Sequence, residues 1–517
     1  MNVASFVRAV AKSLFVGIFL TGLWVGQPAR AQGFGLEDVS REAQTLAQTP
    51  FRKPQITDLR RAALGYDAYR RIQFRASSAL WHGQGTPFEM HFFPLGNGLN
   101  RAVRLHEVVD GKARAFNVTA SAFNNDGVLP PEPPDQPVGV AGWRLTYPLN
   151  EASKRDEVAA FIGASYFRVL GQAQRYGLSA RAIAVDTTGA QAEEFPDFVA
   201  FWFERPGANA KEFSFYALLD GPRLTGAYHF VLRPGATTTV DVRSRLFLRA
   251  PIKTLGIAPL TSMFLHGENQ LSSQGDFRPE VHDSDGLQIL TAEGEWIWRP
   301  LTNPGQAFVT SFAMKSPRGF GLMQRDRSFA SYEDIEARYE LRPSAWIEPL
   351  GDWGTGRVEL LQFNTPDETH DNVAAFWVPD QRPAPGLPID LAWRVHWSGN
   401  DAKAPPGARV LQTRAGYGYF KGQRPRERHK LLIDFSSASL PVGTTPEDVE
   451  AVATVNPNAR LVRVHTYPNS VRGGWRTTVE FDRVSAKQAV ELRIFLRHGA
   501  NTLSETWSYA LPPELAK

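Results

Sequence analysis

The 517-residue chain contains no cysteine, which excludes disulfides, thiolate nucleophiles and thiolate metal sites together. Charge excess is missing as well. A leader over residues 1–31 holds three of the 57 Lys and Arg and no acid, leaving 54 cations against 53 acids. That balance lacks the clustered positive charge of a nucleic-acid binder, and no such partner is expected. Beyond the leader no apolar run is long enough to span a bilayer. The 11 histidines form no H-x-x-x-H or H-E-x-x-H pair, and the D-x-[DN]-x-[DN]-G loop is absent, so no metal is expected. The G-x-S-x-G elbow, the G-x-x-x-x-G-K-[ST] loop and the G-x-G-x-x-G loop are missing too, so a serine hydrolase is disfavoured and no cofactor is expected. There is no internal repeat and no low-complexity tract.

What is present begins with export. Arg8 and Lys12 precede the apolar core "LFVGIFLTGLWVG", and Ala29-Arg30-Ala31 forms a small-x-small cleavage site ahead of Gln32. This pattern predicts a cleavable secretory signal peptide, with no stable membrane insertion once it is removed. No twin-arginine pair precedes the core, which points to general secretion. An exported chain of this length can bury enough core to fold without disulfides.

β signals dominate the rest. "KEFSFYALL", "GAYHFVLRPG", "TTTVDVRSRLFL" and "GRVELLQF" alternate and are rich in β-branched and aromatic residues. Helical spacing is confined to "LEDVSREAQTLAQ", "LRRAALGYDAYRRI" and "KRDEVAAFIGASYFRVLGQAQRYG", the last predicted to stop at Gly177. The reading is a mainly β protein: a large β-sandwich over 32–398, a Pro- and Gly-rich linker over 399–410 and a second sandwich over 411–517. Strand-like runs such as "HKLLIDFSS", "ARLVRVHTYP" and "AVELRIFLRHG" give the second unit an immunoglobulin-like count and spacing.

Two acid-rich segments stand out. "NTPDETHDNVAAFW", residues 364–377, sets Asp367, Glu368 and Asp371 before an apolar strand. Locally, Thr365 suits the cap of a short helical turn with Pro366 at its first position and Glu368 closing a capping box. Chemically, loops at strand ends are where acids for general acid–base work are held. "RPEVHDSDGLQI", residues 278–289, holds Glu280, Asp283 and Asp285. Asp285 precedes Gly286 and reads as a structural turn residue, and His282 as a structural hydrogen-bonder. Two carboxylates from distant loops make a glycosidase arrangement, although Asp283 with Asp371 is one pair among many. Tyr339, Arg342, Trp346 and Trp353 lie between them and suit either a cleft lining or packing around a sheet.

These stretches, with "YDAYRRIQFR", "EEFPDF", "APLTSMF", "PEVHDSDGL", "GEWIWRPL", "RPSAWIEP" and "LSETWSYALP", resemble the periplasmic glucans biosynthesis proteins of Gram-negative bacteria, from about residue 34 to the C-terminus. Of the two family branches, G and D, the leader without twin arginines is more similar to G. The resemblance implies a galactose-mutarotase-like sandwich joined to an immunoglobulin-like domain, a periplasmic location, and β-1,2-linked glucan as the partner. It implies an inverting endo-β-1,2-glucanase with Asp371 as general acid and Asp283 as general base. Tyr339, Glu368 and Thr369 are implied in substrate contact and the proton path. Asp371 must then stay protonated, and Glu368, three residues away, is expected to supply the charge that keeps it so. The rival expectation is a non-catalytic factor that guides nascent glucan from an inner-membrane synthase or presents it for branching.

Overall fold

Period-two burial runs through most of the chain. In Thr238–Leu248 buried and less buried residues alternate, with Val240, Val242 and Leu246 turned inward, the pattern of a strand with one face on a core. The computed structural model describes residues 33–514 except 57, 273–274, 382–383, 400–402, 418–427 and 441–444. The expected leader lies outside the described residues.

The protein is mainly β, as read. One large sheet runs in the order Glu89–Pro94, Val140–Tyr147, Asp156–Ile162, Tyr166–Val169, Ser179–Arg181, Leu255–Ser262, Val373–Pro379, Thr355–Gln362 and Phe308–Lys315. The other includes Trp296–Pro300, Gly286–Leu290, Gly319–Met323, Ser344–Pro349, Ile389–Ser398, Thr238–Leu248, Leu224–Arg233, Phe213–Asp220 and Asp197–Glu204. Their inner faces meet in one aromatic core. Trp143 of the first sheet stands edge-on to Phe215 of the second at 4.9 Å, and Phe161 edge-on to Phe230 at 5.4 Å. Such edge-to-face pairs suit ring quadrupoles and add about 0.5–1.5 kcal/mol each beyond burial.

The helix readings fare unevenly. Leu36–Ala47 is a helix and buries Val39 and Ala43 against Trp202 and Leu218. "LRRAALGYDAYRRI" divides into Leu59–Ala62, capped by the Asp58 carboxylate, and Tyr66–Arg71, entered from Gly65. The third expected helix is wrong. Residues 154–177 form a hairpin of Asp156–Ile162 and Tyr166–Val169, pairing Phe161 with Phe167. Gly163 and Ala164 both have positive φ, 77° and 46°, and the Tyr166 N–H closes the turn on the Gly163 carbonyl at 3.0 Å, a left-handed bend that no helix contains. Phe161 and Phe167 stack at 4.9 Å in the sandwich core, so tertiary burial outweighs helical spacing. Gly177 stops no helix; a Cβ there would meet Cβ of Arg342 at 2.9 Å.

Toward the C-terminus a four-stranded sheet, ordered Val410–Tyr417, Arg428–Phe435, Trp475–Arg483 and Ala459–Pro468, shares a second core with Glu450–Val455, Val490–His498 and Thr506–Leu511. Thr506–Leu511 pairs in parallel with Trp296–Pro300, placing Trp298 beside Trp507. The second core therefore reaches back across the expected linker to include Trp298, Met323 and Trp346.

Candidate active site

Asp283 and Asp371 hang from the same stretch of backbone. Leu255–Ser262 pairs with Val373–Pro379, and after Met263 the chain continues as Phe264–His266, which pairs with Val281–His282. The Asp283 N–H donates to the Met263 carbonyl at 2.8 Å, and the Asn372 N–H to the Ser262 carbonyl at 3.0 Å. The Asn372 amide locks the second attachment: its Oδ1 accepts from the Phe264 N–H at 2.8 Å and its Nδ2 donates to the Phe264 carbonyl at 3.0 Å. Successive carbonyls of an extended chain face opposite ways, so Asp283 and Asn372, the residue after Asp371, are held on opposite sides of this rail.

Their environments differ. Asp283 is 4% exposed and ion-paired with Arg342, whose guanidinium carbon lies 3.9 Å from the ring centre of Tyr339. Tyr339 is buried against Tyr332 at 5.7 Å, and its main chain is held by Gln324. Asp371 is half-buried, and among the described residues no hydrogen bond or ion pair reaches its carboxylate. Burial raises its pKa, and so does the charge on Asp283, against the lowering effect of Arg168, Arg181 and Arg342. The charge expected from Glu368 comes from Asp283 instead. Glu368 is taken by Arg278, which also holds Asp276 and Asp334.

The capping box does not form. Thr365 donates its hydroxyl to the Asp367 carbonyl at 2.7 Å, and the turn is closed by Asp367, whose Oδ1 accepts from the Thr369 N–H at 2.9 Å and the Thr369 hydroxyl at 2.6 Å. Thr369 is thus exposed and turned toward Asp367.

Behind Asp283 lies a fully buried histidine. His282 Nε2 faces Glu280 at 2.9 Å and Nδ1 faces Gln324 Oε1 at 3.0 Å. Gln324 spends its amide N–H groups on the carbonyls of His282 and Tyr339, which leaves its oxygen as the acceptor for His282. Both ring nitrogens therefore donate, and the ring is an imidazolium. Burial alone would lower its pKa, but Asp285 and Glu280 raise it to about 9. Glu280, His282 and Asp285 bring possible ligand atoms within 4.8 Å of one another. Asp285 is structural, as read: its carboxylate accepts from the Asp326 N–H at 2.9 Å and from the Arg325 N–H.

Of the sequence-read residues, Asp283, Arg342, Tyr339 and Asp371 come together. Trp346 and Trp353 take the packing alternative. Trp346 is buried in the second core beside Trp296, and Trp353 stands edge-on to Trp393, its indole donating to the Ala392 carbonyl at 3.3 Å. Four neighbours were missed. Tyr166, Arg168 and Arg181 lie in or beside the misread hairpin; Tyr166 pairs with Arg181, whose guanidinium lies between the rings of Tyr166 and Phe195 at 5.3 and 5.6 Å. The alternation of "YFRV" is the signal that places Tyr166 and Arg168 on one strand face. Arg278 offered only Asp276, two residues away, as a local signal, since Asp334 and Glu368 come from remote segments.

The chain has relatives. A family model described as periplasmic glucan biosynthesis protein, MdoG, matches residues 34–511. Glucans biosynthesis protein G of Ralstonia nicotianae is 48% identical over 491 residues, covering 93% of this chain and 97% of that protein. The protein of the same name from Sodalis glossinidius is 43% identical over 486 residues, 93% of each. That from Pseudomonas aeruginosa strain LESB58 is 42% identical over 515 residues, 98% of each.

Proposed function

Because the chain belongs to the periplasmic glucan biosynthesis protein family, with a role in glucan biosynthesis, we propose that it cleaves the β-1,2-glucan backbone as an inverting endo-glucanase. Asp371 is the general acid and Asp283 the general base in this reading. One observation carries it: two carboxylates flank one backbone rail, one paired with Arg342 and the other unpaired with its pKa raised. Divergent environments are how two carboxyl groups acquire opposite protonation roles.

The steps follow from that split. Asp371 keeps its proton and gives it to the departing glycosidic oxygen. Asp283 takes a proton from the water that attacks the anomeric carbon from the opposite face. An inverting pair holds its carboxyl groups about 6.5–9.5 Å apart to leave room for that water, and attachment of the two segments on opposite sides of one strand suits such a gap. Arg342, held against Tyr339, keeps the base oriented.

The test is reducing-end release from linear β-1,2-glucan by the wild type, Asp371→Asn and Asp283→Asn. Loss of at least about 100-fold in each variant is expected for removal of a general acid or base. Wild-type rates in either variant remove that residue from the mechanism. A second reading rests on the relatives' names, which say biosynthesis: a factor that binds nascent glucan, handed on from an inner-membrane synthase, without cutting it. Glucan binding by the wild type with no release of reducing ends selects that reading.

A further inference from the structure

Gln324, which holds His282, also lines a cavity of about 100 Å³ between the second large sheet and the segment that leads into the C-terminal strands. Its lining includes Arg325, Arg327, Lys403 and Arg409, together with the amides Gln288 and Gln324, and no acidic residue. Volume and charge agree: the space holds a few waters or one tetrahedral oxyanion.

The cations are not equally occupied. Arg325 is neutralised by a two-point pair with Glu505, at 2.6 and 2.9 Å. Lys403 lies 3.8 Å from Glu348, at the edge of ion-pair range. Arg327 and Arg409 have no carboxylate partner among the described residues. Arg327 spends its terminal nitrogens on the carbonyls of Glu340 and Arg342 and on the Ser344 hydroxyl, and its Nε is buried with no partner. A buried guanidinium nitrogen without an acceptor is costly unless something fills the role.

We propose that this cavity binds a small oxyanion of the phosphate class through Arg327, Lys403 and Arg409. The Arg409 guanidinium fork matches phosphate oxygens in geometry, Arg327 contributes its positive charge and unpaired Nε–H, and Lys403 adds a point charge at the rim. The anion is either free phosphate or a phosphoryl group carried on a sugar.

Calorimetric titration of the whole protein, in a phosphate-free buffer of constant ionic strength, tests this with inorganic phosphate and with glucose 6-phosphate. Single-site binding of at least one probe is expected. The Lys403→Gln/Arg409→Gln double variant changes two exposed side chains and should weaken that binding at least tenfold. Lys112→Gln/Arg114→Gln, on an exposed strand elsewhere, should leave it unchanged. Tighter binding of inorganic phosphate identifies the free anion, and tighter binding of the sugar phosphate the carried group. Absence of binding by either probe at millimolar concentration overturns the proposal. So does a double variant that titrates like the wild type, or an equal loss in the Lys112/Arg114 control.

Discussion

Segments 276–285 and 364–372 both gather acids around a histidine, but the fold treats them in opposite ways. In the first, each acid has a basic partner: Asp276 with Arg278, Glu280 and Asp285 with His282, Asp283 with Arg342. In the second, Asp367 closes its own turn and Glu368 is drawn off by Arg278, which leaves Asp371 alone. Charge content is similar, and the difference lies in which cations the surrounding sheets bring near. A neighbouring cation favours the charge of a carboxylate and burial favours its proton, so Asp371, half removed from water with no cation bonded to it, holds its proton more tightly.

The sharpest way to break this comparison is to erase the carboxyl at each end. Asp371→Asn and Asp283→Asn should each reduce β-1,2-glucan cleavage by about 100-fold or more, and the two losses should not multiply, because the groups act as a unit. Steady-state rates of the single and double variants measure this.

Next in size is Arg342→Met. It leaves Asp283 nearly buried without its cation, and urea unfolding should report about 3 kcal/mol of lost stability. The same variant should cost activity, because the base is no longer held. Full stability in Arg342→Met would show that the pair contributes little to the first segment.

His282 sharpens the contrast through pH. Its pKa is about 9 in the fold against an ordinary value of 6.5, so the folded state binds the extra proton over a range where the unfolded chain has released it. The stability it contributes is complete below about pH 6.5 and is lost as the pH rises through about 9, a change of about 3 kcal/mol at most. Unfolding midpoints between pH 6 and 9.5 should fall in the wild type and stay flatter in His282→Gln.

The smallest effect is expected from Glu368→Gln. Its carboxylate is 36% exposed, so solvent screens the pair with Arg278 and the stability loss should stay under about 1 kcal/mol. Any activity loss should follow the disturbed 364–372 loop and leave the alkaline limb of the pH profile, where Asp371 gives up its proton, in place, since burial and then the charge on Asp283 raise the Asp371 pKa. A large displacement of that limb would return to Glu368 the role first expected of it.

Much of this was legible beforehand. The alternating runs "ARLVRVHTYP" and "TTTVDVRSRLFL" became Ala459–Pro468 and Thr238–Leu248 almost residue for residue, because side-chain alternation follows directly from strand geometry. The hairpin at 156–169 was misread because alanine-rich apolar runs satisfy helix and strand spacing alike, and only the aromatic core opposite selected the strand. Asp283 and Asp371 were singled out by family likeness, since nothing in the spacing of either segment pairs them. Arg278 and Arg342 could not be assigned to their acids, because each bridges segments that are remote in sequence.

By itself the sequence determined the β character, the inward face of most strands and the chemical inventory: carboxylates, aromatics and guanidinium groups, with no thiol. These follow from local periodicity and composition, which every short window carries. Only the tertiary structure decided which acid would go unpaired, which histidine would carry a proton, and that residues 88 apart would share the rail at Ser262–Phe264. Those outcomes depend on electrostatics and hydrogen bonds between remote segments, whose strength is set by distance and burial, and neither exists until the sheets have closed on one another.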